Sequence, residues 1–364
     1  MRTRIRLARN VCVVSAAAVI ALAPAATAGA TGSHEAVVSP PIVSGLAGPL
    51  QFEVSHGRIL VGQSFSGTVS RVDRDGSVTD LFNEPGTDGV ASGLFGSTIT
   101  TFTDGVGPDA PPGSVPQGEL RLHTRSGRTI TIADLHAFEE KHNPDGDQQY
   151  GFQDLSDECA AQLPPDAGIL PYDGIAESHP YAIASTFGGW YVADAGANTI
   201  LFVSWFGTVH AVATLPPQPP VVLSAEAAAA NELPPCVAGS SYVAEGVPTD
   251  VEIGRNGLLY VSALPGGPED PSLGARGAVY TVNPWTHRVR RIGSGLAGAA
   301  NVAVSPRGTV YVSELFGGQV SRLVNGHPVP VAQVDSPSGL EWSEGKLYAG
   351  IGTFGPGQIV TIQP

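Results

Sequence analysis

From Pro49 onward, short apolar runs alternate with glycine turns, and apolar and polar positions alternate within each run. Period two over about four to eight residues predicts half-buried β-strands. One unit recurs along the chain. It opens with an apolar strand after Pro or a small residue and turns on Gly into a strand of the YVS or YVA type. A loop then leads to a third alternating strand and a second Gly turn to a fourth. The clearest copies are Pro180–Leu215 and Ala299–Val334. Others span Pro248–Gly295 and Pro49–Phe82, and a weaker one runs from Thr87 to Leu135. The last copy, Ser338–Gln363, has only three strands, and Val37–Gly45 can supply the fourth. That pairing closes a ring and hides a sheet edge. Pro40 and Pro41 suit an outermost strand, where some donors are not needed.

The expectation is therefore an all-β fold, a six-bladed β-propeller in one domain. Its blades are expected at 49–82, 87–135, 180–215, 248–295, 299–334 and 338–363, the last completed by 37–45. Antiparallel up-and-down connectivity puts the first and third turns of every blade on one face. Those turns are short, as at His56-Gly57, Arg255-Asn256-Gly257, Asp75-Gly76 and Phe206-Gly207. The long insertions all fall on the other face: Asp104–Gln117, His136–His179, Pro216–Val247 and Pro265–Arg276. Long loops on a rigid scaffold are where function concentrates, so that face is expected to bind the partner.

Composition refines this picture. Of 364 residues, 46 are Gly and 31 Pro, which suits many turns and nearly excludes a helix bundle. The formal charge of −14 argues against a nucleic-acid partner and disfavours an anionic membrane surface. Arg2, Arg4, Arg6 and Arg9 precede an apolar run from Val11 to Leu22 and the small-residue stretch Ala26-Thr27-Ala28. Residues 1–28 thus read as a secretory signal peptide, the run being too short to span a bilayer. Its removal takes four Arg and no acid, which would leave −18. The exported chain is expected outside the cell or in the envelope, as a monomer without a transmembrane segment. It would keep two cysteines, Cys159 and Cys236, and an even pair in an exported chain predicts one disulfide. That bond would pin two loose insertions over the third blade.

Chemistry is harder to find. Gly62-Gln63-Ser64-Phe65-Ser66 lacks the last Gly of a nucleophile elbow and ends a strand. No P-loop, dinucleotide fingerprint or CxxC occurs. Asp73 and Asp75 fit a hairpin turn better than a calcium loop. Ala133–His142 (ADLHAFEEKH) has a helical look, with Asp134 able to cap it, and is followed by the stop Asn143-Pro144-Asp145-Gly146-Asp147. His136, Glu139 and His142 do not have zincin spacing, so a solvated polar helix is expected there. Second strands end on the insertion face at Gln63, Asp194, Leu264 and Glu314, with Asn198 just beyond Asp194. Asp250 and Asn301 open first strands near the axis. Asp194, Asn198, Asp250, Asn301 and Glu314 are the candidate ligand-binding residues. Their oxygens suit a hard divalent cation such as calcium, or a small polar ligand. Ordinary loop hydrogen bonding is the alternative.

Four segments carry a family resemblance: Asp134–Gly146 (DLHAFEEKHNPDG), Glu177–Thr199 (ESHPYAIASTFGGWYVADAGANT), Val247–Val261 and Gly308–Gly317. Through them the chain resembles the ScyD/ScyE family of exported bacterial proteins, themselves similar to NHL-type and gluconolactonase-like six-bladed propellers. Family members commonly show Asp-Ser-Asn-Pro where this chain has Glu177-Ser178-His179-Pro180. Gluconolactonase-like enzymes hold a divalent metal at the channel, within NGL and PDG signatures. Here the matching strands read PYAIA and PTDVE, which lowers the hydrolase reading. The functional expectation is a non-enzymatic recognition protein that binds a protein or small polar ligand on the insertion face. The alternatives are a metal-dependent hydrolase or lactonase at the central channel and a structural envelope component.

Overall fold

The computed structural model describes residues 36–106, 110–111, 113–164, 168–267 and 273–364. The leader at 1–28 lies outside these, as do parts of the insertions at Asp104–Gln117, His136–His179 and Pro265–Arg276.

Two strands, β1 (Val37–Val38) and β2 (Val43–Ala47), precede the first repeat. That repeat is β3 (Gln51–Ser55), β4 (Arg58–Gln63), β5 (Thr68–Val72) and β6 (Val78–Asn83). The second is β7 (Thr87–Ser92), β8 (Thr98–Asp104), β9 (Gln117–His123) and β10 (Thr129–Asp134). Helix α1 (Leu135–His142), β11 (Gln149–Phe152), helix α2 (Asp157–Ala160) and β12 (Tyr172–Asp173) make up the next insertion. The third repeat holds β13 (Pro180–Thr186), β14 (Gly189–Asp194), β15 (Thr199–Ser204) and β16 (Val209–Thr214). A further insertion brings β17 (Val221–Val222), helix α3 (Ala225–Ala230) and β18 (Ser241–Val243). Then follow β19 (Gly246–Ile253), β20 (Leu259–Pro265), β21 (Gly277–Val282) and β22 (Val289–Leu296). The fifth repeat is β23 (Ala299–Val304), β24 (Val310–Glu314), β25 (Gln319–Val324) and β26 (His327–Gln333), and the last is β27 (Leu340–Ser343), β28 (Lys346–Ile351) and β29 (Pro356–Gln363).

Each repeat is an antiparallel sheet in sequence order. The last sheet is completed from the N-terminus, because β29 pairs with β1 through Val37 and Gln363 and with β2 through Val43 and Ile359. Pro40 and Pro41 fall in the break between those two strands, which Ser39 and Ile42 bridge by donating to Thr361 and Ile359. First strands of different sheets are tied near their N-terminal ends. Ser338 Oγ donates to the Pro49 carbonyl at 3.0 Å, Thr249 Oγ1 to that of Ala299 at 2.9 Å, and Gln51 Nε2 to that of Thr249 at 3.1 Å. Apolar faces of adjacent sheets share cores, as where Val192 and Leu201 meet Ile99 and Leu120. Burying such side chains stabilises the fold by roughly 1.5–3 kcal/mol each.

Glycine at the hairpins does two jobs. Gly207 has a φ of +80°, and a Cβ there would lie 2.2 Å from the Ile132 carbonyl oxygen of the preceding sheet. Both the positive φ and the close approach exclude a side chain. Gly207→Ala is expected to cost about 1–3 kcal/mol, read as a lower urea midpoint at unchanged slope.

The sequence reading is corrected at the insertions. Far from loose, the two blade-connecting segments pair into a small four-stranded sheet, β12-β11-β18-β17. It has its own core of Phe152, Cys159, Leu163, Ile169, Leu223, Ala227, Val237 and Tyr242. Its strands are two to four residues long, too short for period two to show. The Cys159–Cys236 disulfide joins the two segments within that core.

Candidate functional site

The sequence candidates separate into three places. The first forms where α1 meets the β14–β15 turn. Asp134 caps α1 by accepting from the Ala137 amide at 2.8 Å. The helix ends on Asn143, whose φ of 35° turns the chain so that Asp145 points inward. Asp145 Oδ2 accepts from Tyr150 Oη at 3.1 Å and Asn198 Nδ2 at 2.9 Å. Beside them, Asp194 Oδ2 accepts from Ser178 Oγ at 2.5 Å, and Oδ1 from the His179 amide at 2.7 Å and the Ala197 amide at 3.3 Å. His179, the departure from the family pattern, sets Nε2 3.3 Å from Asp88 Oδ2.

Helix α1 is the second correction. It was expected to be a solvated polar helix, yet Leu135 and Glu139 are both fully buried. Its Leu135 and Phe138 pack into the core of Leu120, Val192 and Leu201, and Glu139 feels the charge of Asp194. Neither Glu139 oxygen has a hydrogen-bond partner among the described residues, and Asp145 Oδ1 and Asn198 Oδ1 also lack one. Burial, followed by the nearby charges of Asp194, Asp145 and Glu177, pushes the Glu139 carboxyl up to about 9. Burial also raises Asp145, against hydrogen bonds from Asn198 and Tyr150, and raises Asp194 against those from Ser178, His179 and Ala197. Asp194 is therefore a brace. Asp194→Ala would leave three buried donors unmatched, and a loss of about 3 kcal/mol or more is expected in chemical denaturation.

The second place lies where the first strands β19, β23, β27 and β3 meet. Asp250 Oδ2 accepts from the Val302 amide at 3.0 Å, and Asn301 Oδ1 from the Leu340 amide at 3.0 Å. These two tie neighbouring first strands together. The sequence reading missed their surroundings: Glu53, Glu252 and Glu341 lie close to Asp250 on first strands of their sheets. Burial pushes Asp250 up to about 7. It also raises Glu252 and Glu341 well above the carboxylate range, with the other acids adding to the effect. A signal was present, since QFEVS, PTDVE and LEWS each carry an acid in a first strand.

Glu314 stands apart. Its Oε2 accepts from the Ala297 amide at 2.8 Å, and Oε1 from Gln319 Nε2 at 2.7 Å and Ser321 Oγ at 2.5 Å. Of the other strand ends, Gln63 bonds Ala47 and Ser70, and Leu264 is core. All five candidates are at most 4% exposed, and each holds backbone or a neighbouring side chain in place. Among the described residues, no three His, Cys, Asp or Glu side chains are gathered as a metal-holding group.

A surface groove of about 650 Å³ runs along the insertions. Asp147 and Gln148 line it from one insertion, Pro216, Pro217 and Pro219 from the other, and Tyr280, Val289 and Arg291 from the β19–β22 sheet.

No protein-family model matches the sequence, and no curated protein matches it. Solved structures do share the fold. One, assigned as a gluconolactonase, gives a TM-score of 0.51 at 12% identity, over 91% of this chain and 93% of its own. Another, assigned as an oxidoreductase (glucose dehydrogenase) from Thermus thermophilus, gives 0.50 at 16% identity over 90% and 99%. An auxiliary nutrient binding protein from Bacteroides thetaiotaomicron gives 0.50 at 9% over 88% and 70%. At these identities the likeness is one of fold, the β-propeller. No helix among the described residues is long and apolar enough to cross a membrane.

Proposed function

We propose that the chain is an exported ScyD/ScyE-type propeller that binds a small polar ligand or a peptide through its inserted layer. The six repeat sheets form a closed six-bladed ring, with β1 and β2 completing the last blade. Residues 1–28 direct export, and the protein works as a monomer outside the cell or in the envelope. One observation carries the reading. The insertions fold into a disulfide-tied layer with its own core, and the groove beside it mixes three prolines with Asp147, Gln148 and Arg291. A few polar groups on an apolar wall are what a small-ligand site requires. The carboxylates of Asp194, Asp250 and Glu314, by contrast, accept from backbone amides.

The test is a ligand screen read by thermal shift and followed by calorimetric titration. Asp147→Lys and Pro219→Trp, which reverse a charge and fill the groove, are run beside the parent. A ligand held at least tenfold more weakly by either variant supports the reading. Conversion of that ligand to a product, or indifference to both changes, overturns it.

A second reading, a metal-dependent hydrolase, draws on the oxygens without donors at Glu139, Asp145 and Asn198. Oxygen-rich sites of that kind suit calcium. Elemental analysis showing no bound divalent ion, with no rise in melting temperature on adding calcium, removes it.

A further inference from the structure

The face opposite the insertions carries an aromatic and basic surface. Its turns expose Leu94 at 62% and Phe95 at 97% between β7 and β8, and Phe187 at 101% between β13 and β14. Phe206 at 96% and Trp285 at 72% project from the β15–β16 and β21–β22 turns. Three neighbouring repeats supply all five. Folded proteins seldom leave such rings bare unless something covers them.

The tips are built and braced. Phe95 holds a φ of 56°, a left-handed conformation unusual for a bulky residue, and this aims its ring into solvent. Trp205 donates through Nε1 to the Phe187 carbonyl at 2.7 Å and sits edge-on to the buried Trp190 at 4.5 Å. Phe187 and Phe206 thus stand on a rigid base.

Basic residues surround them. Four of the nineteen Lys and Arg lie in residues 2–9. Of the other fifteen, Lys141 and Arg276 belong to the insertions, and Arg121 is paired with Glu84 and Glu119. Of the remaining twelve, Arg291 lines the groove beside the insertions, and the other eleven sit in the short turns or in the turn-proximal halves of their strands. The net negative charge, which argued against an anionic membrane, averages over a strongly polarised molecule. A groove of about 820 Å³ opens beside Gly93 and Gly96, the residues flanking the Leu94-Phe95 tip, and is lined by His56, Arg58, Arg71, His123 and Arg125. Asp73 bridges Arg58 at 3.1 Å and Arg71 at 3.0 Å, and Glu53 also lines the groove, so the three arginines exceed the two carboxylates by one.

We infer that this face docks on an anionic phospholipid bilayer. The aromatic tips enter the interfacial region, and the groove takes a phosphate headgroup. Aromatic side chains favour that depth, and each basic residue near an anionic surface adds attraction. A soluble polyanion would use the arginines but gives no role to the exposed phenylalanines. The tips are convex and spread over three repeats, which suits a yielding planar partner better than a second copy of this chain.

The test is tryptophan quenching by brominated lipid in phosphatidylcholine vesicles with and without phosphatidylglycerol. Of the four Trp, Trp190 is buried and Trp342 is half-buried and stacked on Tyr311, so quenching reports chiefly on Trp205 and Trp285, with Trp285→Phe as the check. The parent is expected to be quenched only with phosphatidylglycerol present, and high salt should reverse it. Phe95→Ser and Phe187→Ser should each weaken partition at least about tenfold. Arg125→Glu with Arg255→Glu should abolish it, all with unchanged circular dichroism. Absent quenching overturns the inference. So does equal quenching by uncharged vesicles, arginine-dependent capture of soluble polyphosphate without quenching, or self-association lost in the Phe variants without vesicle binding.

Discussion

Replacing both Cys159 and Cys236 by Ser is expected to lower stability by about 4 kcal/mol, since the bond closes a loop of 77 residues. The loss should begin in the inserted layer. That layer has its own core, and its strands are only two to four residues long. The insertions are tied to the repeats by bonds from Asn198 to Asp145 at 2.9 Å, from Thr214 Oγ1 to the Pro144 carbonyl at 3.3 Å and from the Gly266 amide to the Glu245 carbonyl at 3.0 Å. Without the disulfide, two segments far apart in sequence must find each other through short pairings alone. Hydrogen exchange followed by mass spectrometry should show protection falling over residues 149–173 and 221–243 while β3–β6 and β23–β26 keep theirs. A uniform loss over every sheet would mean that layer and sheets unfold as one unit.

Glu139→Gln is expected to stabilise the protein in alkaline solution and flatten its pH profile. The folded carboxyl keeps its proton up to about 9, and the unfolded one releases it near 4.5. Between those values the native state binds the extra proton, so stability is full below 4.5 and falls as pH rises towards 9. Carried through the interval, the loss reaches about 6 kcal/mol at most. Asp194, Asp145 and Glu177 oppose ionisation at this position, so titration of Glu139 places a new charge among acids. Glutamine keeps the shape, cannot ionise, and brings two donors to oxygens that lack them. Urea unfolding from pH 4.5 to 9 should show parent and variant alike at the acid end and several kcal/mol apart at the alkaline end. A constant gap would show that Glu139 does not titrate in this range. If the site takes calcium, adding the ion should erase the parent's slope, because a cation favours the ionised form.

Much of the sheet architecture was legible because period two and glycine hairpins are local signals. The strands at Arg58–Gln63 and Lys346–Ile351 fall within the repeats read from sequence, and Val37–Gly45, matched to the incomplete last copy by its pattern, does pair with β29. The disulfide was legible by count. The inserted sheet was not, because β12 and β17 have two residues each and no periodicity to read. Glu139 was hidden for another reason. A helix of eight residues with Glu, Lys and His looks solvated until the turn at Asn143 folds its buried side onto another element. The acids around Asp250 were visible singly at Glu53, Glu252 and Glu341, but only packing of first strands brings them together. Asp194, Asn198, Asp250, Asn301 and Glu314 were singled out by position, and each also bonds backbone or a neighbouring side chain.

The pairing of β1 and β2 with β29 also sets an order of events. Residues 37–47 leave the ribosome long before their partner at 356–363. The final sheet therefore cannot be completed until β29 has emerged. Until then the leading strands, with Val37, Val38 and Val43, lack the edge they were built for and can pair with a neighbouring chain. Contacts this distant in sequence slow folding. A chain cut within β29 would leave β1 and β2 without their partner strand.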